Sequence, residues 1–505
     1  MPHSPKQNNR VPRPPVVAVV GHIDHGKSTL LDYIRSANVV AGEAGGITQH
    51  VAAYEAEHSG KSITFIDTPG HEAFAAMRSR SLSAADIAIL VVSAEDGVKP
   101  QTMEAYKLIE KTKTPLIVAL TKIDKPDASI ERAKNSLLEN GIYLEGLGGT
   151  IPYIGVSGKS GVGISEMLDL ILLQAELESL SYDPASPARG IVIEAHASAR
   201  RGISATLIVK EGTLSAAGFA VAAHSFAPMR IMEDFLGVAA KEIGAGRPAG
   251  IVGFSSLPSV GSEFFTVENK KEAEIAASVA ISNKETAVKK GIVSEESSEE
   301  TSPTLAAIVI KTDVAGAGEA VAHEIAKLPA IKNLELRTLS MAVGSVNEND
   351  VRLAGSGEVP GMVLGLNVKV DPGAAALAER LGVPVHIESI IYNLPKRLQE
   401  ELEKRRPRER IEEKLGRARV IKIFGAEKKS IVLGGRVEEG KLLQGAEAHI
   451  MRRDLEIGVG IIESLQSQKK QVREVAAGVE FGARIKSPAA VAAGDYLEVI
   501  DVVYK

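Results

Sequence analysis

The chain has 505 residues, of which 44% are hydrophobic and 24% are charged. This is the usual composition of globular proteins, and it excludes collagen, bulk disorder and a pure coiled coil. Lys and Arg total 59 against 64 Asp and Glu, for a net charge of -5, so nucleic acid could be bound only through local basic patches. The absence of cysteine excludes disulfides, thiolate catalysis and cysteine-ligated zinc.

The N-terminal segment 1–14 is polar and Pro-rich, and it predicts a disordered basic tail without a secretory signal. No apolar run approaches the roughly 20 residues that a membrane helix needs. We expect a cytoplasmic protein that does not bind membranes, and we expect it to be a monomer. At about 150 residues per domain, the length predicts three or four domains.

Between residues 15 and 180, short apolar runs alternate with helical patterns. This alternation predicts a parallel sheet with helices on both faces. The predicted strands are PVVAVV (15–20), ITFID (63–67), DIAILVV (86–92), LIVAL (116–120) and IPYIGVS (151–157). The predicted helices include 28–35, 102–111 and 164–180.

The first predicted strand and helix are joined by a segment that fits G-x-x-x-x-G-K-[ST]. In such a loop, glycines let backbone N–H groups surround phosphate oxygens, and the helix N-terminus adds positive charge. We expect Lys27 to reach the β- and γ-phosphates and the Ser28 hydroxyl to bind Mg²⁺. The alternative is an ordinary Gly-rich turn. The predicted phosphate-binding residues are Gly21, His22, Ile23, Asp24, His25, Gly26, Lys27, Ser28 and Thr29.

The strand ITFI is followed by Asp67, Thr68, Pro69, Gly70 and His71. An Asp at the end of a strand beside a phosphate loop can hold Mg²⁺, usually through water. Gly70 could supply a backbone N–H to a γ-phosphate. An ordinary DTPG turn is the alternative interpretation.

Two further strand ends predict a site for the base. Asp124 can accept hydrogen bonds from guanine N1–H and its 2-amino group, whereas adenine lacks this donor pair. The stem of Lys122 would cover the base, and a second loop would close over its edge. A charged loop after a buried strand is the alternative. The predicted residues are Thr121, Lys122, Ile123, Asp124, Ser157, Gly158 and Lys159.

Beyond a turn-rich linker, short strands separated by glycines predict a β-barrel over 188–270. A helix and a Ser-rich acidic linker follow at 271–303, and renewed βα alternation predicts a small α/β domain over 304–393. Segment 394–416 is predicted as a connecting helix, interrupted or restarted at Pro407, because most residues of 396–416 are charged and Leu398 and Leu402 lie one turn apart. Strand patterns from 417 to 505 predict a second β-barrel, since VEEGKLLQG resembles VKEGTLSAAG of the first. The alternative is that glycine turns in any β protein look alike.

The motifs in this order resemble those of the translational GTPases. LLDYIRSANVVAGEAGGITQHVAAY (30–54) and DTPGHEAFAAMRSRSLSAADIAILVV (67–92) narrow the resemblance to the bacterial initiation factor two family. The resemblance extends over nearly the whole chain, and its nucleotide motifs are more specific than its C-terminal ones. It implies a P-loop GTPase domain, a β-barrel, a small α/β domain, a connecting helix and a second β-barrel.

The resemblance also implies a function. Such a protein binds GTP or GDP with Mg²⁺, brings initiator formylmethionyl-tRNA to the small ribosomal subunit, and promotes joining of the large one. The family's switch residue falls on Thr48, which would bind Mg²⁺ in the GTP state. Its catalytic histidine falls on His71, which would orient the attacking water on the ribosome; a turn histidine is the alternative.

The initiator-tRNA site implied by the resemblance lies in the second barrel, at Arg453, Asp454, Phe481 and Gly482. Ordinary barrel turn and core roles are the alternative for these four residues. The chain departs from the family at Thr121, where Asn is usual, and at Gly158, where Ala is usual.

Three other functions stay open from the sequence. One is another tRNA-delivering GTPase, such as an elongation or selenocysteine-specific factor, although an α/β domain between two barrels argues against it. Another is a ribosome-bound scaffold with a non-hydrolysing nucleotide site, favoured only by Thr121. The third is a P-loop ATPase or kinase, which competition between GTP and ATP would distinguish.

Overall fold

The computed structural model describes residues 9–36, 51–198, 200–289, 304–329, 334–357, 359–404, 410–427, 430–453, 455–468 and 470–504. The chain divides into two compact units, Met1–Lys404 and Arg405–Lys505. Among the helices in the described ranges, none has the length and apolar character needed to cross a membrane. The expected acidic linker at 294–303 lies outside the described residues.

The first part of unit 1 is a central sheet covered by helices. Its strands are β1 (Val11–Pro12), β2 (Val16–Gly21), β3 (Ala52–His58), β4 (Lys61–Asp67), β5 (Ile87–Ser93), β6 (Leu116–Thr121), β7 (Tyr153–Gly155) and β8 (Ser181–Tyr182). Its helices are α1 (Lys27–Ser36), the 3-10 helix η1 (Glu72–Phe74), α2 (Ala75–Ala84), α3 (Pro100–Thr112), α4 (Ile130–Glu139) and α5 (Ile164–Leu177).

The main sheet has the order β3-β4-β2-β5-β6-β7. Strands β2, β4, β5, β6 and β7 are parallel, as the apolar runs predicted, and β3 adds an antiparallel edge. Separate buried clusters cover the two faces. Since the parallel strands run the same way, the loops after β2, β4, β6 and β7 meet at one edge, where ligands bind in open α/β sheets.

The start of the chain differs from the prediction of a disordered tail over 1–14. Strand β1 pairs with β8, Val11 lying opposite Tyr182. The Arg13 guanidinium contacts both carboxylate oxygens of Asp86 at 2.5 and 2.8 Å, and both side chains are 8% exposed. A buried, bidentate ion pair can fix a polar segment whose composition alone suggests disorder.

The second part of unit 1 is antiparallel. Its seven-stranded sheet has the order β13-β12-β17-β9-β10-β16-β14, and β11 pairs with β15. It is a half-barrel around an apolar core, followed by the predicted helix α6 (Lys270–Lys289). The strands are β9 (Arg189–Ser198), β10 (Gly202–Glu211), β11 (Thr213–Ser215), β12 (Phe219–Ala222), β13 (Ser225–Pro228), β14 (Met232–Glu233), β15 (Glu242–Gly244), β16 (Pro248–Val252) and β17 (Glu263–Val267).

The third part of unit 1 is a parallel α/β layer with sheet order β19-β18-β20-β21. Helix α8 was not predicted; Asn347 caps its start by accepting hydrogen bonds from the N–H groups of Asn349 and Asp350. The elements are β18 (Thr304–Thr312), α7 (Ala317–Ala326), β19 (Leu334–Val343), α8 (Glu348–Ala354), β20 (Val359–Leu366), α9 (Pro372–Leu381), β21 (Val385–Glu388) and α10 (Asn393–Lys404).

The three parts of unit 1 share one buried cluster. It joins Phe74 and Met77 of η1 and α2 to Ile193 of β9 and to the core of the α/β layer. Leu398 and Leu402 on one face of α10 are 0% and 2% exposed within it. The segment after β4, which belongs to the first part, therefore packs against both the half-barrel and the α/β layer.

Unit 2 is a closed barrel. Strands β22, β29, β24, β25, β28 and β23 pair in this order, and β23 pairs again with β22. Register shifts along the β22–β23 pair let long strands curve around the core. The strands are β22 (Arg410–Glu427), β23 (Ser430–Leu443), β24 (Glu447–Arg452), β25 (Leu455–Ser467), β26 (Lys470–Gln471), β27 (Glu474–Ala476), β28 (Glu480–Lys486) and β29 (Tyr496–Tyr504).

The connecting segment differs from the prediction of a helix over 394–416. Helix α10 ends at Lys404, and strand β22 already begins at Arg410. From Arg410 onward the backbone pairs with β29, so the prediction of a helix restarted after Pro407 is wrong for 410–416. Pairing on a sheet overrides the helix propensity of Arg, Glu and Lys.

Candidate nucleotide site

The predicted phosphate loop joins β2 to α1 at the carboxyl edge of the main sheet. Gly26 has φ +88°, a left-handed conformation that glycine adopts without strain. At Gly21, a Cβ would lie 2.5 Å from the Val91 carbonyl oxygen, so a side chain does not fit there. Helix α1 begins at Lys27, which places its N-terminal N–H groups around the loop.

Lys27 is 7% exposed. Its ammonium donates to the carbonyl oxygens of Gly21 at 2.9 Å and His22 at 2.6 Å. Burial lowers the pKa of Lys27 to about 8; the Asp67 carboxylate opposes this shift and the nearby Arg78 charge adds to it. The loop thus holds a cation inside a ring of backbone groups.

The loop after β4 lies beside Lys27. Register pairs Asp67 with Val19 of β2, and Asp67 is 5% exposed. The Thr68 hydroxyl donates to the Val19 carbonyl at 2.8 Å. A Cβ on Gly70 would lie 2.2 Å from Lys27 Nζ, so a side chain at this position would displace the Lys27 ammonium.

The two predicted base loops are joined by a hydrogen bond. The Ser157 hydroxyl donates to Asp124 Oδ1 at 2.7 Å, and Ser157 is fully buried. Its oxygen accepts the N–H groups of Lys159 at 3.3 Å and Ser160 at 3.1 Å. The Ser157 bond lowers the pKa of Asp124, which keeps this carboxylate an acceptor at neutral pH.

Thr121 joins the base loop to the phosphate loop. Its hydroxyl donates to the carbonyl oxygen of His25, and Thr121 is 2% exposed. Its side chain therefore ties the two loops together although it lacks an amide. Gly158 packs on α1, where a Cβ would lie 2.9 Å from the Thr29 carbonyl carbon.

These loops enclose one cavity of about 340 Å³. The phosphate loop lines one end and the base loops line the other. The loop after β4 does not line this cavity, so the predicted residues Asp67, Thr68, Pro69 and Gly70 lie outside its lining. The other predicted residues that do not line it are Gly21, His22, Ile23, His25, Ile123 and Ser157. The lining residues are Asp24, Gly26, Lys27, Ser28, Thr29, Thr121, Lys122, Asp124, Lys125, Gly158 and Lys159.

His71 is not among the described residues that line this cavity. Its Nδ1 accepts the Ala73 N–H at 3.1 Å, which caps η1. Its ring lies 4.6 Å from the ring of Tyr392 in the α/β layer. Burial lowers the pKa of His71, so the imidazole is neutral at neutral pH, with the hydrogen on Nε2.

Of the remaining predicted residues, Thr48 and Asp454 lie outside the described part of the chain. Arg453 is an exposed turn residue with φ 53°. Phe481 is 5% exposed and belongs to the core of the unit 2 barrel. Gly482 follows it on β28 and pairs with Gly434. The initiator-tRNA role of these residues stays a prediction.

Three residues at the site were not predicted. One is Lys125, which lines the cavity. Arg78 on α2 bonds to carbonyl oxygens of the loop after β4, and Glu104 on α3 pairs with Arg78 at 2.6 Å. Arg78 lies in the segment MRSRS (77–81), which also contains Arg80. The sequence alone does not show which of the two arginines is buried.

Three family models match consecutive parts of the chain. "Elongation factor Tu GTP binding domain" matches residues 13–176, "Elongation factor G domain 2" matches 187–267, and "Translation-initiation factor 2" matches 281–399. The first match contains every described residue of the cavity.

Curated relatives match over almost the whole chain. Translation initiation factor IF-2 of Geobacter sulfurreducens is 39% identical over 97% of this chain and 56% of that protein. Translation initiation factor IF-2 of Carboxydothermus hydrogenoformans is 39% identical over 97% of this chain and 60% of that protein. The chain thus spans little more than half the length of these relatives.

Among solved structures, GDP-bound aIF5B from Aeropyrum pernix is 24% identical. The match covers 98% of this chain and 92% of that one, with a TM-score of 0.44.

Proposed function

Because the chain belongs to the translation initiation factor IF-2 family of translational GTPases, we propose that it binds guanine nucleotides and hydrolyses GTP to GDP and phosphate. One observation carries this proposal: the Lys27 ammonium and the Asp124 carboxylate line the same cavity. Lys27 would neutralise phosphate charge, and Asp124 would select guanine by accepting from its N1–H and 2-amino group.

The oxygen ligands beside Lys27 fit Mg²⁺. A hydroxyl at the start of α1 and a buried carboxylate at the end of β4 are the hard donors that this ion prefers. Ser28 and Asp67 would hold it, joined by Thr48 in the GTP state. Mg²⁺ supplies charge neutralisation for phosphoryl transfer when bound.

His71 would take part in hydrolysis by orienting the attacking water. A neutral imidazole can accept a hydrogen bond from water, and the lowered pKa of His71 keeps the ring neutral. In the conformation described here its Nδ1 already accepts the Ala73 N–H. The ring must therefore move toward the cavity, and we expect the ribosome to promote this movement.

The proposed partners are the small and large ribosomal subunits and initiator formylmethionyl-tRNA. The family relationship supports this proposal, and unit 2 would carry the tRNA site around Arg453, Asp454, Phe481 and Gly482. Delivery of this tRNA and subunit joining would take place in the cytoplasm.

The test is GTP hydrolysis with and without ribosomes, for the wild-type protein and His71→Ala. We expect ribosomes to stimulate the wild type and not the variant, while both bind GTP with similar affinity. A cavity that prefers ATP in direct competition would reject guanine selection. Wild-type GTP binding without any hydrolysis on ribosomes would favour a scaffold.

A filter-binding assay tests the tRNA proposal separately. Formylmethionyl initiator tRNA should bind more tightly than unformylated initiator tRNA or an elongator tRNA. Equal binding of an aminoacylated elongator tRNA would point to another tRNA-delivering GTPase.

A further inference from the structure

Arg78 is an arginine buried inside the nucleotide-binding part of the chain. Its side chain is 1% exposed, although it carries a permanent charge. Its guanidinium bonds to the Pro69 carbonyl oxygen, and the next residue, Gly70, lies against the Lys27 ammonium of the phosphate loop. A cation beside another buried cation is unfavourable, so its presence needs an explanation.

Two of the three hydrogen-bond partners of Arg78 lie in the loop after β4. Nη1 donates to the Pro69 carbonyl oxygen at 3.2 Å and to the His71 carbonyl oxygen. Nη2 donates to Glu104 Oε1 at 2.6 Å. The guanidinium thus bridges α3 to the turn that contains Gly70, and its charge is compensated by one carboxylate.

The bond to Pro69 has a direct consequence for Gly70. The Pro69 carbonyl and the Gly70 N–H belong to the same planar peptide unit, in which they point in opposite directions. Fixing the carbonyl oxygen therefore fixes the direction of the Gly70 N–H. The bond to the His71 carbonyl oxygen fixes the orientation of a second peptide unit in the same turn.

We propose that Arg78, anchored by Glu104, is a positioning residue that sets the orientation of the Gly70 N–H toward a γ-phosphate and thereby selects triphosphate over diphosphate. The inference deepens the proposed function, because it assumes that the cavity binds guanine nucleotides. Arg78 acts through the Gly70 peptide and has no contact with the nucleotide in this assignment.

A neighbouring arginine provides a matched control. Arg80, two residues along α2, pairs with Glu319 at 2.7 and 2.9 Å, and its side chain is 25% exposed. The same Arg-to-Lys change can thus be made at Arg80, whose guanidinium bonds to Glu319 of the α/β layer. Of the two Arg-to-Lys changes, only the one at Arg78 should alter the nucleotide site.

The experiment is calorimetry with GDP and with a non-hydrolysable GTP analogue on the full chain. The variants are Arg78→Lys, Glu104→Gln and Arg80→Lys. For Arg78→Lys, affinity for the analogue should fall by about fivefold or more while GDP affinity stays within about twofold, because a lysine cannot bridge three acceptors. Glu104→Gln should lower analogue affinity in the same direction by less, and Arg80→Lys should change neither affinity.

Equal loss of both affinities in Arg78→Lys would assign Arg78 a purely structural role and overturn the proposal. Unchanged or tighter analogue binding would also overturn it. Failure of the proposed function is distinguishable, because the wild-type protein itself would then bind neither guanine nucleotide.

Discussion

At the scale of single residues, the cavity is lined by a cation, Lys27, at one end and by an anion, Asp124, at the other. Lys27 binds backbone carbonyl oxygens, and Asp124 is held by Ser157. Each charge is fixed by neighbours that do not depend on a ligand. The chemistry of nucleotide selection can therefore be tested one residue at a time.

The pKa of Lys27, about 8 because of burial, predicts a pH dependence. Phosphate attracts only the protonated ammonium, so GDP affinity should be constant near neutral pH and fall above pH 8. The fall should approach about tenfold per pH unit where the neutral form dominates. Calorimetry at several pH values measures it, with Lys27→Arg as control because arginine stays charged. Parallel profiles for both proteins would contradict the assignment to Lys27.

Asp124→Asn should exchange base specificity. The amide can donate to the 2-oxo group of xanthine, whereas guanine loses its paired acceptor, so GDP affinity should fall by about 100-fold or more. Competition between xanthosine and guanosine diphosphates measures the change. Asp127→Asn, in the same exposed loop, is the control and should retain guanine preference. If Asp124→Asn also retains guanine preference, Asp124 lies outside the base site.

At the scale of elements, the helices that cover the sheets are held by buried apolar faces. Helix α10 illustrates this, since Leu398 and Leu402 lie one turn apart and are both buried. Lys396 lies on its exposed side. The charged surface of α10 makes it look like a free connecting helix, but its apolar face belongs to the core of unit 1.

Leu398→Ala should destabilise unit 1 by about 2–4 kcal/mol, because it removes buried methyl groups and leaves a cavity. Lys396→Ala should change stability by less than about 0.5 kcal/mol. Urea unfolding of both variants measures the difference. If the two changes have the same small effect, α10 is not packed as the structure shows.

At the scale of the whole molecule, unit 1 joins the nucleotide site to the α/β layer. The ring centroids of His71 and Tyr392 are 4.6 Å apart. Glu72 Oε2 lies 3.5 Å from Lys327 Nζ. The segment that carries the predicted catalytic histidine is thus in contact with a different part of the chain.

Tyr392→Ala should raise the pKa of His71 toward its ordinary value, because burial is the main cause of its lowering. Titration of the imidazole resonances by NMR measures the shift. Tyr143→Ala, at an exposed tyrosine of the same unit, should leave this pKa unchanged. An unaltered His71 titration in Tyr392→Ala would show that the ring does not shield the imidazole.

The division into units predicts the outcome of truncation. A chain ending at Lys404 retains unit 1 complete and should bind GDP with unchanged affinity. It should lose initiator-tRNA binding in the filter assay, because the proposed site lies in unit 2. Retention of this binding would place the tRNA site in unit 1.

The sequence by itself determined the sheet of the nucleotide part and the loops at its edge. Continuous apolar runs predict buried parallel strands, and a contiguous pattern such as that from Gly21 to Ser28 needs no distant partner to be recognised. Asp67 and Asp124 follow predicted parallel strands, which places both at the same edge of the sheet. The roles of Thr48, His71 and the tRNA residues stay predictions.

Only the tertiary structure decided which polar residues are buried and which segments pair. Arg78 reaches Pro69, His71 and Glu104, and Arg13 reaches Asp86, 73 residues away. Residues 410–416 look helical but form a strand. The physical reason is that hydrogen bonds and pairings between residues distant in sequence leave no periodic pattern, and their energy exceeds the local propensities of the residues involved.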